Sequence, residues 1–211
     1  TQNQAFSAIL FLYRVVLGTE LEWMNDIARS KRLPRLPVVL TREEVDAVLN
    51  ALDGVYRLIA SVLYGAGLRL TEALTLRIKD IGLERLEITV RDGKGRKDRV
   101  TVLPRRIKTA IRDQIAYAGA VHTRDLRAGG GSVELPYAIA RKYPGAAREF
   151  GWQWLFPASR THVDAQTGDR RRHHLHPSTV QRAVKKAVRK AGIAKPASCH
   201  SLRHSFATHL L

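Results

Sequence analysis

Sulfur is almost missing from this 211-residue sequence, which has one cysteine, Cys199, and one methionine. A lone cysteine closes no internal disulfide, which excludes the small secreted folds that rely on disulfides in place of a core. No apolar run approaches the roughly 18 residues that a membrane-spanning helix requires. The first ten residues lack the basic start of a secretory signal. These absences lead to the expectation of a soluble cytoplasmic protein. With 45% hydrophobic residues the chain can bury a core, so disorder is excluded as well.

Negative charge is the other scarcity. There are 19 Asp+Glu against 36 Lys+Arg, a formal net charge of +17. From Arg170 to Leu211 there is no acidic residue, while Arg170, Arg171, Arg172, Arg182, Lys185, Lys186, Arg189, Lys190, Lys195 and Arg203 all fall there. Charge of one sign repels itself, so such a stretch points to a polyanionic partner, which is a nucleic acid by the usual logic of basic domains.

Periodicity gives the organisation. Phe6, Ile9, Leu10, Tyr13, Val16 and Leu17 have the spacing of a helix face, and residues 31–40 read as a linker because Pro34 and Pro37 interrupt any helix. The sequence starts in one helical pattern and stops in another at Leu211, which raises the expectation of a truncated larger protein. Thr41 and Glu44 form a capping box ahead of Val45, Val48, Leu49 and Leu52. A second helix, apolar almost all round, spans 55–64, and Gly65-Ala66-Gly67 separates it from a third at 70–76. Leu86, Ile88 and Val90 alternate with polar residues, as do Val100 and Val102, which predicts a hairpin whose turn carries Lys94 and Lys97. Pro104 opens a helix expected to end near Tyr117, and residues 119–169 read as irregular. Residues 178–191 form an amphipathic helix stopped by Gly192, and the last helix starts near His200. The fold class expected is mainly α with small antiparallel β-ribbons (α+β).

Three features carry chemistry. Arg69 follows a glycine break at a helix start, where its fork can meet a phosphate beside free N–H groups, or simply pair with Glu72. Lys94 sits on a Gly-flanked turn, where it can donate a proton or remain solvated, and Lys97 competes for that role. His200 and Arg203, three apart, share one helix face. A metal site is not expected. His173, His174 and His176 are close in sequence, as are Cys199, His200, His204 and His209, but neither group has the spacing of a zinc motif.

These features occur in an order that resembles the tyrosine recombinase (phage integrase) family: GLRLTEAL, GKGRKDRVTVLP and HSLRHSFATHLL, across residues 38–211. The resemblance implies Arg69, Lys94, His200 and Arg203 as catalytic residues. It implies a transesterification through a 3′-phosphotyrosyl intermediate, with no cofactor. It implies DNA as the partner, four full-length protomers on DNA, and neither a membrane nor a small-molecule substrate. Residues 1–30 would be the end of an N-terminal DNA-clamping domain, and 41–211 an incomplete catalytic domain. All six tyrosines precede His200, whereas the family nucleophile follows that motif, so strand cleavage by these 211 residues is not expected.

Residues 119–175 look like the insertion of integron integrases, which recombine folded single-stranded attachment sites as well as duplex ones. Trp152, His173 and His174 match positions associated with bases that protrude from such a hairpin. Trp154, Arg171, Arg172 and Lys97 join them as DNA-binding candidates. Aromatic rings offer stacking faces and arginines hold a backbone. Trp152 and Trp154 can also simply pack in the core; if the segment is a strand they face opposite sides, one core and the other exposed. Two other functions fit the charge: a type IB topoisomerase-like enzyme, and a nucleic-acid-binding domain without catalysis.

Overall fold

The computed structural model describes residues 2–19, 36–91, 97–136, 139–143, 145–165 and 167–210. It divides into two compact units, Thr1–Leu36 and Pro37–Leu211. In the first, helix α1 (Gln2–Phe11) runs into a π-helical turn, Leu12–Val16, and neither contains a buried residue.

The second unit is built on helix α3 (Gly54–Gly65), which buries Leu58, Ile59, Ala60, Val62 and Leu63. A helix that is apolar on nearly every side has to be surrounded. Helix α2 (Arg42–Asn50), short α4 (Leu70–Leu74), α5 (Lys108–Arg127), α7 (Pro177–Lys190) and α8 (Cys199–His209) all pack on it. The capping box of α2 is present in both directions: the Glu44 N–H donates to the Thr41 hydroxyl, and the Thr41 N–H to the Glu44 carboxylate. Helix α7 turns Val180, Val184, Ala187 and Val188 inward and Arg182, Lys185, Lys186, Arg189 and Lys190 outward.

Strands β1 (Ile81–Gly82), β2 (Glu87–Val90) and β3 (Arg99–Val102) form an antiparallel sheet in that order. Val90 lies opposite Arg99 at the end where β2 connects to β3, and Glu87 lies opposite Val102 at the open end. β1 is a third strand that alternation alone does not reveal, because it is two residues long. Strands β4 (Pro157–Val163) and β5 (Arg170–His174) make a separate antiparallel ribbon. A short helix, α6 (Ile139–Lys142), precedes them.

Two expectations need correction. The helix after Pro104 does not end near Tyr117 but reaches Arg127, so the segment that begins at 119 starts inside a helix. Gly119 is an in-helix position where a Cβ would make ordinary contact with the ring of Phe150 at 3.4 Å. Trp152 and Trp154 are not on a strand: Phe150–Trp152 is a 3₁₀ turn, and Trp154 makes an isolated bridge to Arg77.

Gly67 joins α3, α4 and α8. Its φ of +63° suits glycine, and a Cβ there would collide with the ring of Phe206 on α8. Gly192 has a similar φ of +69° but open space around it. Gly67→Ala should therefore destabilise the fold by about 1–3 kcal/mol, and by more than Gly192→Ala, as measured by chemical denaturation of both variants.

Candidate active site

One carboxylate organises the site. Glu72 lies on the first turn of α4 with only 8% of its side chain exposed. It accepts the Arg69 backbone N–H at 2.8 Å and the Arg69 guanidinium at 2.8 Å. From β3, Arg99 adds a two-pronged contact at 3.1 and 2.7 Å. From α8, the Arg203 guanidinium lies 3.5 Å from the same carboxylate and donates to the Gly67 carbonyl. Elements far apart in sequence thus bring three guanidinium groups to one anion. Burial pushes the Glu72 carboxyl up, but the hydrogen bonds from Arg99 and from the backbone and side chain of Arg69 outweigh it and hold its pKa at about 2.

Of the two readings left open for Arg69, the pairing with Glu72 is the one seen, and the same carboxylate also faces Arg203. His200, in the first turn of α8, is exposed, with its ring edge-on to His204 at 4.7 Å. Partial burial and the charges of His204, Arg203 and Arg69 lower its pKa, which favours the neutral imidazole at pH 7. Partial burial and the Arg69 charge also lower the Arg203 pKa. Lys94 lies outside the described residues. Lys97 is exposed just before β3.

The 119–175 segment sorts its candidates by burial. Trp152 is half-buried, with the Lys79 ammonium 2.8 Å from its ring centroid. Trp154 is 8% exposed, and its Nε1–H donates to the Arg172 carbonyl. Arg77 lies between the two indoles, 3.9 Å from the Trp154 centroid and 5.5 Å from that of Trp152. Its guanidinium donates to the carbonyls of Trp152 and Glu134. Burial lowers the Arg77 pKa to about 10 against the opposing pull of Asp80 and Glu134. A groove of about 330 Å³ has Thr71, Glu72, Arg77, Pro136, Trp152 and Trp154 among its lining residues. A larger cavity of about 660 Å³ lies between α2, α3 and the turn after Pro104 and contains none of these candidates.

Arg172 is a correction. Only 8% exposed, it donates through two nitrogens to Asp125 at 2.5 and 2.6 Å and cannot reach a ligand backbone. Arg171 is also engaged, with Asp164 at 2.8 Å and Asp169 at 3.4 Å. Both arginines serve the β4–β5 ribbon. His173 is exposed and stacks flat on His162, with centroids 4.2 Å apart and planes 4° apart. Partial burial and the neighbouring His162 lower its pKa. His174 is half-buried, edge-on to Trp154 at 5.2 Å, with Nδ1 facing the Leu175 carbonyl. Among the described residues no three His, Cys, Asp or Glu side chains form a group that holds a metal ion.

Sequence reasoning overlooked Arg99, Arg77, Lys79 and His162. Each acts through a neighbour distant in the chain, and only the strand register that puts Arg99 opposite Val90 could have hinted at one of them.

The pattern of the phage integrase family matches residues 38–211. The chain is 48% identical over 212 residues to proteins named integrase/recombinase from Escherichia coli and Pseudomonas aeruginosa, covering all of itself and 63% of each. It is 33% identical over 199 residues to the tyrosine recombinase XerA of Pyrococcus furiosus, covering 91% of itself and 56% of that protein. The crystal structure of XerA recombinase superposes with a TM-score of 0.55 at 26% identity, over 99% of this chain and 61% of that one. XerH site-specific recombinase bound to its difH substrate gives a TM-score of 0.55 at 24% identity, over 96% and 51%. The chain therefore spans less than two thirds of the length of these relatives.

The carboxylate at the centre has a measurable signature. Its folded pKa lies below the ordinary value near 4.5, so its contribution to stability is complete above that pH and is lost as pH falls toward 2. Glu72→Gln should cost about 2–4 kcal/mol at pH 7. It should also flatten the stability profile between pH 4.5 and 2, as followed by denaturant titration across pH.

Proposed function

The chain belongs to the phage integrase (tyrosine recombinase) family, and we propose on that premise that it supplies the phosphate-activating part of a site-specific DNA recombinase. The observation that carries this reading is the Glu72 carboxylate, which holds Arg69 from α4 beside Arg203 from α8. Two fixed guanidinium forks are what a phosphodiester needs when its non-bridging oxygens gain charge in the transition state.

The reaction is a transesterification. A tyrosine oxygen forms a bond to phosphorus while the bond from phosphorus to the 5′ oxygen breaks, leaving a 3′-phosphotyrosyl link and a free 5′ hydroxyl. The tyrosine proton departs and the leaving oxygen gains one. Arg69 and Arg203 hold the non-bridging oxygens, Lys94 protonates the 5′ oxygen, and His200 assists by hydrogen bonding or proton transfer. The reaction conserves bond energy, so attack by the 5′ hydroxyl of another strand reverses it and exchanges strands. Four full-length protomers on two DNA sites are the assembly that such an exchange requires.

All six tyrosines of the chain precede His200, and Tyr64 is engaged with the His209 ring at 2.8 Å. The 211 residues should bind DNA without forming a covalent adduct on a nicked substrate. In the full-length protein, Arg203→Ala should abolish recombination while leaving binding largely intact. A covalent adduct from the 211 residues, or recombination surviving Arg203→Ala, would overturn the reading.

The narrower proposal is integration and excision of gene cassettes at folded single-stranded attachment sites. It is supported by the half-buried Trp152 at the mouth of the groove and by the exposed His173. An unpaired base has a π-face that a duplex keeps stacked, so a ring at that position favours a hairpin with protruding bases. Trp152→Ala should lower affinity for such a hairpin by about 5–100-fold, the range for one lost stacking contact. Affinity for the perfect duplex at matched salt should be nearly unchanged. Equal loss on both substrates, measured by gel shift, would remove the cassette specificity.

A further inference from the structure

Trp152 is half-buried, and a cation occupies one of its ring faces. The exposed Lys79, in the 3₁₀ turn Ile78–Asp80 just after α4, places its ammonium 2.8 Å from the indole centroid. Its stem runs beside the turn that carries the ring, since a Cβ on Gly151 would meet the Lys79 Cβ at 3.7 Å. An ammonium so close leaves no room for a base on the same face. A second cation, Arg77, stands 5.5 Å from the same centroid, but it is buried and committed to the carbonyls of Trp152 and Glu134. Only Lys79 is free to leave the ring, so the face it covers is the one that can open. Its neighbours do little to hold it. Asp80, the adjacent carboxylate, is taken: one oxygen accepts the Arg91 Nε–H at 2.7 Å and the other the Arg77 backbone N–H at 3.0 Å. Burial and the charge of Arg91 lower the Lys79 pKa, with Arg77 adding to the effect and Asp80 and Glu149 opposing it. A cation–π contact at an exposed site is weak, and a phosphate oxygen offers the ammonium a charge-assisted hydrogen bond in its place.

We propose that Lys79 is a specificity-determining residue, a latch that covers Trp152 in the free protein and moves to a phosphate of the incoming strand when an unpaired base takes its place on the ring. The proposal rests on the stacking role given to Trp152 above. It makes the base and the phosphate arrive together, because the ring opens only when both have a partner. A perfect duplex keeps its bases stacked, so it supplies nothing to replace the ammonium, and Lys79 stays on the ring. The hairpin therefore gains one phosphate contact that the duplex lacks.

The test measures binding by the full-length protein over a range of salt, on a hairpin with protruding bases and on its perfect duplex. Each phosphate contact contributes about 0.7–0.9 to the slope of log affinity against log salt. Lys79→Met should lower that slope by about 0.7–0.9 on the hairpin and leave it unchanged on the duplex. Lys79→Arg, which keeps a cation, should retain the full slope on the hairpin. In the free protein, Lys79→Ala should raise the quenching of tryptophan fluorescence by acrylamide, and should not do so in a Trp152→Phe background. An equal drop in slope on both substrates would make Lys79 an ordinary backbone contact and overturn the latch, as would no drop on either. Unchanged quenching in Lys79→Ala would overturn the covering of the ring. Any of these results, with the hairpin preference lost in Trp152→Ala, would leave the stacking role of Trp152 standing. A hairpin preference that survives Trp152→Ala would overturn the stacking role itself, and the latch with it.

Discussion

Three guanidinium groups cannot share a small volume without an anion among them, and Glu72 is that anion. At a separation of about 4 Å each pair of cations would repel by roughly 4 kcal/mol in a partly buried setting. With the carboxylate in place the cluster keeps a surplus of two positive charges, so it remains attractive to a phosphate while being stable without one. Most of the fold around it can be read as a means of delivering its members. Arg69 arrives because the α3–α4 turn needs a left-handed residue at Gly67. Arg203 arrives because α8 lies against that turn and donates to the Gly67 carbonyl. Phe206, one turn further along α8, fills the space that a side chain at position 67 would need.

The same residue type does a second job in the 119–175 segment. Arg172 is the inward member of a strand whose burial alternates around it, and it spans the gap to Asp125 on α5. Arg77 fills the space between two indoles and takes up the carbonyls of Trp152 and Glu134. A small apolar core would not hold this ribbon well, and buried arginine with its several donors joins backbone groups that would otherwise be left without partners. Trp152 and the ribbon thereby gain fixed positions beside the groove that leads to Glu72.

Much of this was legible in sequence. The Thr41 capping box, the α7 periodicity and the break at Gly67 each follow from local rules, and Arg69, His200 and Arg203 follow from the motif order. What could not be read depends on pairing across distance. Glu72 appeared only as a neighbour of Arg69, because its contact with Arg99 spans 27 residues. The run Arg170-Arg171-Arg172 reads as one basic patch, yet Arg170 is exposed while Arg172 is buried against Asp125.

The charge then separates into two populations. Arg69, Arg77, Arg91, Arg99, Arg171, Arg172 and Arg203 are each held by a carboxylate or by backbone carbonyls. Arg182, Lys185, Lys186, Arg189 and Lys190 are exposed along α7 and form no ion pair among the described residues. Mobile cations of the second kind give a polyanion affinity that falls with salt, since their contribution comes from counterion release. Fixed cations of the first kind are largely insulated from salt, because their partners are already in contact. Lys185, from the second population, and His200 line a common hollow of about 480 Å³. One helical turn separates His200 from the arginine that Glu72 keeps in place.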